Sequence, residues 1–341
     1  MESATAGTTS KCPVVNDWPP LLTYLAETRP TQPLTWQSWQ IAPVTGGANN
    51  LLYHVTNLNN PTEDFAVKFT VRDTRNRATR EFHALTALQQ AARSIAPAPL
   101  FVDMAQYRQP VVVQRWLTGV TWGGPPTTPQ AWQSLLDHFC TIHDITPAKV
   151  TIALDSAVLN VDSGAAGKAL IRQEVAKLPP TARPAVLQRL LDWTEWWQPP
   201  QWTPPQPALC RGDANWRNFI ANDGRLLSVD WENSGWGDPA FEIAELIAHP
   251  AYSTVPNERW SWLIDAYAAQ RQEADTVTRI HTYLIIMRIW WVARSARTRY
   301  EAPRGLDERL AKRPDDWQQQ AEQLWVRSVT LAQSTITQLV T

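Results

Sequence analysis

Two apolar runs enclose a polar loop in the second half of the chain: Leu209-Cys210-Arg211-Gly212-Asp213-Ala214-Asn215-Trp216-Arg217-Asn218-Phe219-Ile220, and after it Leu226-Leu227-Ser228-Val229-Asp230-Trp231-Glu232. Asp and Asn in a loop ordinarily make turns, and a lone D-x-x-x-x-N carries no information. Here Asp213 and Asn218 sit between strand candidates, and a second Asp, Asp230, ends the strand that follows. That composite is far rarer by chance. It offers one carboxylate, Asp213, to accept or orient the proton of an attacking hydroxyl. It also offers two oxygen ligands, Asn218 and Asp230, for a hard cation. Phosphoryl transfer from ATP with magnesium needs such a set.

A second signal lies upstream, in Phe65-Ala66-Val67-Lys68-Phe69-Thr70-Val71. Strand alternation puts Phe65, Val67, Phe69 and Val71 on one face and Ala66, Lys68 and Thr70 on the other. A Lys inside so apolar a strand needs a partner, and Glu81, on the rim of the next helix, is available. Such a pair aims an ammonium at nucleotide phosphates. The plainer alternative is an edge-strand Lys facing water. Ala66 on the same face favours the pair, because its small side chain leaves space for a flat base. Before this strand, Val44-Thr45-Gly46-Gly47-Ala48-Asn49-Asn50-Leu51 reads as a hairpin turn. Gly46 and Gly47 could lay backbone N–H groups over phosphates. Alone this is weak, since hairpins favour Gly and Asn; it lies one strand pair before Lys68. It lacks the Gly-Lys-Ser/Thr ending of a Walker loop.

The order of elements frames these signals. A first helix is expected over 18–30. Strands follow over 36–44, 51–56 and 65–71, then a helix over 76–93 with Phe82, Leu85, Leu88 and Ala92 at helical spacing. Two more strands, over 100–104 and 110–114, complete a small antiparallel lobe of about five strands. Residues 117–126 break regular structure. Beyond them the pattern is helical over 129–145, 164–197, 239–249, 256–272, 275–300 and 314–339, with two short strands around the loop in 208–231. This predicts an α+β fold of two lobes with a cleft between them, a favoured place for a ligand.

Together the motifs resemble the aminoglycoside-phosphotransferase/choline-kinase family, of protein-kinase-like fold. The family's H-G-D-x-x-x-x-N loop corresponds to Arg211-Gly212-Asp213 through Asn218. Its G-D-P-x-x-[DE]-[LI]-A run corresponds to Gly237-Asp238-Pro239-Ala240-Phe241-Glu242-Ile243-Ala244. The resemblance covers about residues 36–250. It implies Asp213 as the base, Asn218 and Asp230 as metal ligands, and adenine against the backbone near Arg115, Trp116 and Leu117. It also implies a nucleotide-binding lobe over 18–117 and a helical catalytic lobe over 118–341. Asp238 is read as a cap for the helix after Pro239, and His143 as a structural residue at a helix end. Arg211 departs from the family's His. Protein kinases place a long docking segment after the metal-binding Asp; here Gly237-Asp238-Pro239 follows almost at once, which favours a small-molecule acceptor.

Composition sets outer bounds. The 341 residues are 44% hydrophobic and 18% charged, with a net charge of −1. That balance gives no support for nucleic acid or an anionic membrane as partner, nor the acidic surface a polycationic acceptor would favour. Three scattered cysteines argue for a reducing, cytoplasmic setting. Residues 1–17 lack an apolar core for a signal peptide and read as disordered. The 19 tryptophans are expected mostly in helix grooves. The helix around 277–300 carries Tyr283, Arg288, Trp290, Trp291, Arg294, Arg297 and Arg299; one face could line an acceptor site, and its arginines weigh against an aminoglycoside. Choline-like and sugar-like acceptors stay open, as does a catalytically inactive nucleotide-binding relative. Oligomeric state has no signature.

Overall fold

The computed structural model describes residues 18–45 and 49–340. Gly46 and Gly47, and the expectation for residues 1–17, lie outside the described residues. The first part of the chain runs α1 (Trp18–Thr28), β1 (Leu34–Trp36), β2 (Trp39–Val44), β3 (Leu51–Asn57), β4 (Asn60–Phe69), α2 (Arg77–Gln90), β5 (Pro99–Asp103) and β6 (Val111–Arg115). Its six strands form one sheet in the order β1-β2-β3-β4-β6-β5, with every neighbouring pair antiparallel.

The alternation in β4 fixes which side of the sheet is which. Phe65, Val67 and Phe69 join Leu21, Leu22 and Leu25 of α1 in one apolar cluster with Ile41, Val55, Val111 and Val113. Ala66 and Lys68 therefore take the other face. Two sequence expectations change here. The run 36–44 is a hairpin: Gln37, at φ 51°, turns the chain so that Trp36 pairs with Trp39. No glycine marks that turn, and the sheet gains a sixth strand. β4 also starts earlier than expected, passing through Pro61. Its pairing with β6 begins only at Phe65, so the missing N–H of Pro61 falls where that edge is unpaired.

The rest of the chain adds β7 (Val120–Thr121), α3 (Pro129–His143), α4 (Gly164–Ala176), α5 (Ala185–Trp196), β8 (Ala208–Cys210), β9 (Phe219–Asn222), β10 (Arg225–Ser228), β11 (Gly235–Gly237), α6 (Pro239–Ala248), α7 (Asn257–Arg271), α8 (Thr276–Glu301) and α9 (Trp317–Val340). The expected single helix over 164–197 is two, broken across Pro179, Pro180 and Pro184, where proline cannot continue the helical ladder. The two expected strands in 208–231 are three. β8 pairs with β11, while β9 pairs with both β10 and β7.

All ten residues of α6 are buried, and α8 lies beside it with Ile280, Tyr283, Ile286 and Met287 in the same core. A separate apolar cluster crosses between the two parts. It joins Ala84, Leu85 and Leu88 of α2 to Ile142, Ile145, Leu209 and Trp231. Tryptophans mostly fill seams, as Trp132 does edge-on to Trp260 at 5.2 Å, although Trp196 is 85% exposed.

Candidate active site

Gly212 turns the chain sharply out of β8 at φ 71°, where an added Cβ would lie 2.9 Å from the Asn233 carbonyl. Only glycine fits that turn without strain. The loop is then held by carboxylates from α6. Glu242 Oε1 accepts from the amides of Arg211 at 2.7 Å and Gly212 at 2.8 Å. Its other oxygen meets His143 Nε2 at 2.8 Å, and His143 Nδ1 meets the Tyr267 hydroxyl at 2.8 Å. Since a carboxylate only accepts, the imidazole carries a hydrogen on Nε2. His143 ends α3 and links that helix end to the loop.

Glu245 accepts from the Ala214 amide at 3.2 Å, and Tyr252 donates to the Ala214 carbonyl at 2.8 Å. Between these anchors Asp213 stays partly exposed, its Oδ1 taking the Asn215 amide at 3.1 Å. The Val229 amide donates to the Asn218 carbonyl at 2.9 Å, which sets Asn218 beside the strand end that carries Asp230. Asp230 adopts φ 64°, a left-handed conformation that Asp tolerates better than most residues. Asp238 caps α6, its Oδ1 accepting from Ala240 N at 2.9 Å while Tyr283 donates to Oδ2 at 2.9 Å.

The other half of the site comes from the sheet. The Lys68 ammonium donates to Glu81 Oε2 at 2.8 Å, contacts Asp230 Oδ1 directly, and lies 3.3 Å from Glu232 Oε2. Burial alone would lower the Lys68 pKa; Asp230, Glu81 and Glu232 outweigh it and hold the ammonium well above its usual range. Burial raises Glu81, and it raises Asp230, with Glu232 and Asp213 adding to the second. Glu232 is a site residue that the sequence reading left without a role. Arg77 Nη1 reaches it at 2.7 Å and Asn50 Nδ2 at 2.5 Å. The available signal was its place two residues after Asp230.

The expected base-binding segment is partly committed to the sheet. The amide of Arg115 donates to Ala98 O at 2.9 Å and that of Trp116 to Asp64 O at 3.0 Å. Leu117 follows directly, beyond the end of β6. The Trp116 ring stacks on His54 at 3.9 Å and 15°. Across the strands His54 pairs with Ala66, so this aromatic pair lies on the Lys68 side.

A family profile described as the phosphotransferase enzyme family matches residues 40–281. The chain belongs to that family. Solved structures with the same fold include a choline/ethanolamine kinase family protein from Mesorhizobium loti, 19% identical, TM-score 0.60, covering 85% of this chain and 87% of the other. A Plasmodium vivax ethanolamine kinase is 15% identical, TM-score 0.58, covering 88% and 82%. A spectinomycin phosphotransferase solved with ADP and spectinomycin is 11% identical, TM-score 0.58, covering 87% and 93%. No curated protein matches the chain by sequence. The bilobal, protein-kinase-like architecture is thereby shown.

In this phosphotransferase Arg211 is wholly buried. Its guanidinium lies over the Phe219 ring at 4.7 Å, and Nη1 donates to the Val229 carbonyl at 3.3 Å. It therefore ties the loop to the strand leading into Asp230. Three arginines of α8 are engaged with side chains of neighbouring helices. Arg288 donates to Thr335 of α9, Arg297 pairs with Glu174 of α4 and with Glu301, and Arg299 pairs with Glu322 of α9. They hold helices together.

Glu245 gives the fold a pH dependence. Burial first, then the charges of Asp213 and Glu242, push its pKa to about 8, with Arg211 only partly offsetting them. A group raised on folding favours the fold at low pH, and that contribution is lost as pH climbs from the unfolded value through the folded one. Glu245→Gln should match wild type near pH 5 and become the more stable protein above pH 8, by roughly 2–4 kcal/mol. Urea denaturation at a series of pH values checks this. A stability difference that does not change with pH removes Glu245 as the cause.

Proposed function

We propose that this chain moves the γ-phosphate of ATP to a hydroxyl of a small molecule, with magnesium. The observation that carries the reading is the Lys68 ammonium joined at once to Glu81 of α2 and to Asp230 at the catalytic strand end. Asp213 takes or orients the proton of the attacking hydroxyl from a loop fixed by Glu242 and Glu245. Lys68, steadied by Glu81, would meet phosphate oxygens. Adenine packs along Ala66 and meets the backbone at Arg115, Trp116 and Leu117.

The residues fit a divalent cation. The carboxylate oxygens of Glu81, Asp230 and Glu232 lie within 4.8 Å of one another. Asn218 and Asp230 would hold magnesium, which when bound neutralises phosphate charge. Structures of relatives with ADP, and with AMP-PNP, support nucleotide use.

We place the nucleotide-binding lobe at residues 18–117 and the catalytic lobe at 118–341; β7 pairing with β9 supports a boundary just before Val120. Among the described residues no helix is long and apolar enough to cross a membrane, and Cys140 and Cys210 are free thiols; we assign a cytoplasmic reaction. The relatives act on acceptors as different as ethanolamine and spectinomycin, so the family leaves the acceptor open. ADP release from Mg-ATP, measured with aminoglycosides, macrolides, choline, ethanolamine, homoserine and simple sugars one at a time, tests the reading. Acceptor-dependent release supports it. Failure of Mg-ATP to bind overturns it.

A further inference from the structure

The face of the sheet that carries Lys68 also carries Gln114. Strand register sets it there: Lys68 pairs with Val112, and Ala66 pairs with Gln114. Directly opposed residues of an antiparallel pair share a face. Gln114 is 4% exposed, and its Oε1 is buried with no hydrogen-bond partner. A buried carbonyl oxygen without a donor is costly and uncommon in a folded protein, so this one calls for a ligand group.

Its neighbours describe that group. Ala66 lies about 7 Å along the strand from Lys68, on the side away from Thr70. Ala66 has a minimal side chain, and His54, opposite it on β3, is stacked with Trp116. The surface beside Gln114 is therefore flat and partly aromatic, suited to a planar ring. Of the backbone amides at the strand end, those of Arg115 and Trp116 already bond to Ala98 and Asp64. A side chain beside them can supply part of the recognition.

We infer that Gln114 is a specificity-determining residue for the nucleobase, its Oε1 accepting a hydrogen from the exocyclic 6-amino group of adenine. This rests on the phosphotransferase reading above. The 6-amino group carries two hydrogens, so one can serve a backbone carbonyl beyond β6 while the other serves Gln114. A 6-oxo purine sets oxygen against oxygen unless the carboxamide turns over.

The experiment compares binding of three Mg-nucleotides to the full chain by calorimetry: ATP, purine riboside triphosphate (hydrogen at position 6) and ITP (oxygen at position 6). It is repeated with Gln114→Met, which keeps the volume and removes both polar atoms. In the wild type ATP should exceed purine riboside triphosphate by about tenfold or more, and in Gln114→Met that ratio should shrink by about five- to tenfold. General damage to packing changes all three affinities alike and leaves the ratio untouched. The same ratio in both proteins overturns the inference. A wild-type ratio of one overturns it without any variant, should Gln114→Met fail to fold. Tight binding of ATP with an unchanged ratio leaves the phosphotransferase reading standing. Failure of every nucleotide to bind removes the site and this inference with it.

Discussion

Replacing Asp213 by asparagine is expected to lower acceptor-dependent turnover by about 10²–10⁴-fold while Mg-ATP affinity changes little. The substitution is conservative in shape. The side-chain oxygen that takes the Asn215 amide at 3.1 Å is kept, and the anchors on Arg211, Gly212 and Ala214 come from α6, not from Asp213. What disappears is the carboxylate proposed above to take the proton of the acceptor hydroxyl. Single-turnover rates set beside nucleotide affinity separate the two effects. Turnover within a few-fold of wild type would move the base elsewhere in the site. Loss of nucleotide binding together with turnover would point to collapse of the loop.

The second large effect should come from Glu242, which touches no substrate. Glu242→Ala removes the acceptor for two backbone amides and for His143, with Arg211, His143 and Glu242 all buried. Stranding these donors should destabilise the protein by roughly 3–5 kcal/mol. That is a large part of the ~5–15 kcal/mol that holds a typical protein folded. Denaturant midpoint and turnover should fall together. Glu242→Gln keeps one acceptor oxygen for Arg211 and Gly212 and should fall between wild type and alanine. An alanine variant with wild-type stability would mean that the loop holds its shape from within.

These two residues mark how far the sequence could be read. The motif of Asp213, Asn218 and Asp230 could be read because it is local in the chain: Asn218 is five positions on from Asp213, and Asp230 follows the next apolar run. The Lys68–Glu81 pair was legible for the same reason, since alternation placed Lys68 and helical spacing placed Glu81 on the rim of the following helix. Glu232 was not, because the groups that define it come from far away in the chain, Asn50 and Arg77, 182 and 155 residues distant. Charge and periodicity carry no trace of such pairings. The partners of the α8 arginines were equally hidden. A basic helix near a site reads as a binding surface until its partners are known, and Arg297 finds one of them, Glu174, 123 residues earlier. The turn at Gln37 was missed because its left-handed backbone is imposed by strand pairing on both sides and not by a glycine.

The apolar cluster formed by Leu85, Leu88, Ile142, Ile145, Leu209 and Trp231 has a thermodynamic consequence. Interfaces between separately folding units are usually modest and polar, and such units melt one by one. Here the helix that carries Glu81 is buried against the strand that leads into Asp213 and against the residue that follows Asp230. Unfolding either lobe would expose the apolar surface of the other, so the chain is expected to melt as one cooperative unit, with a single transition in calorimetry. The slowest amide exchange then belongs to α2, β8 and α6, the elements that place the reacting groups.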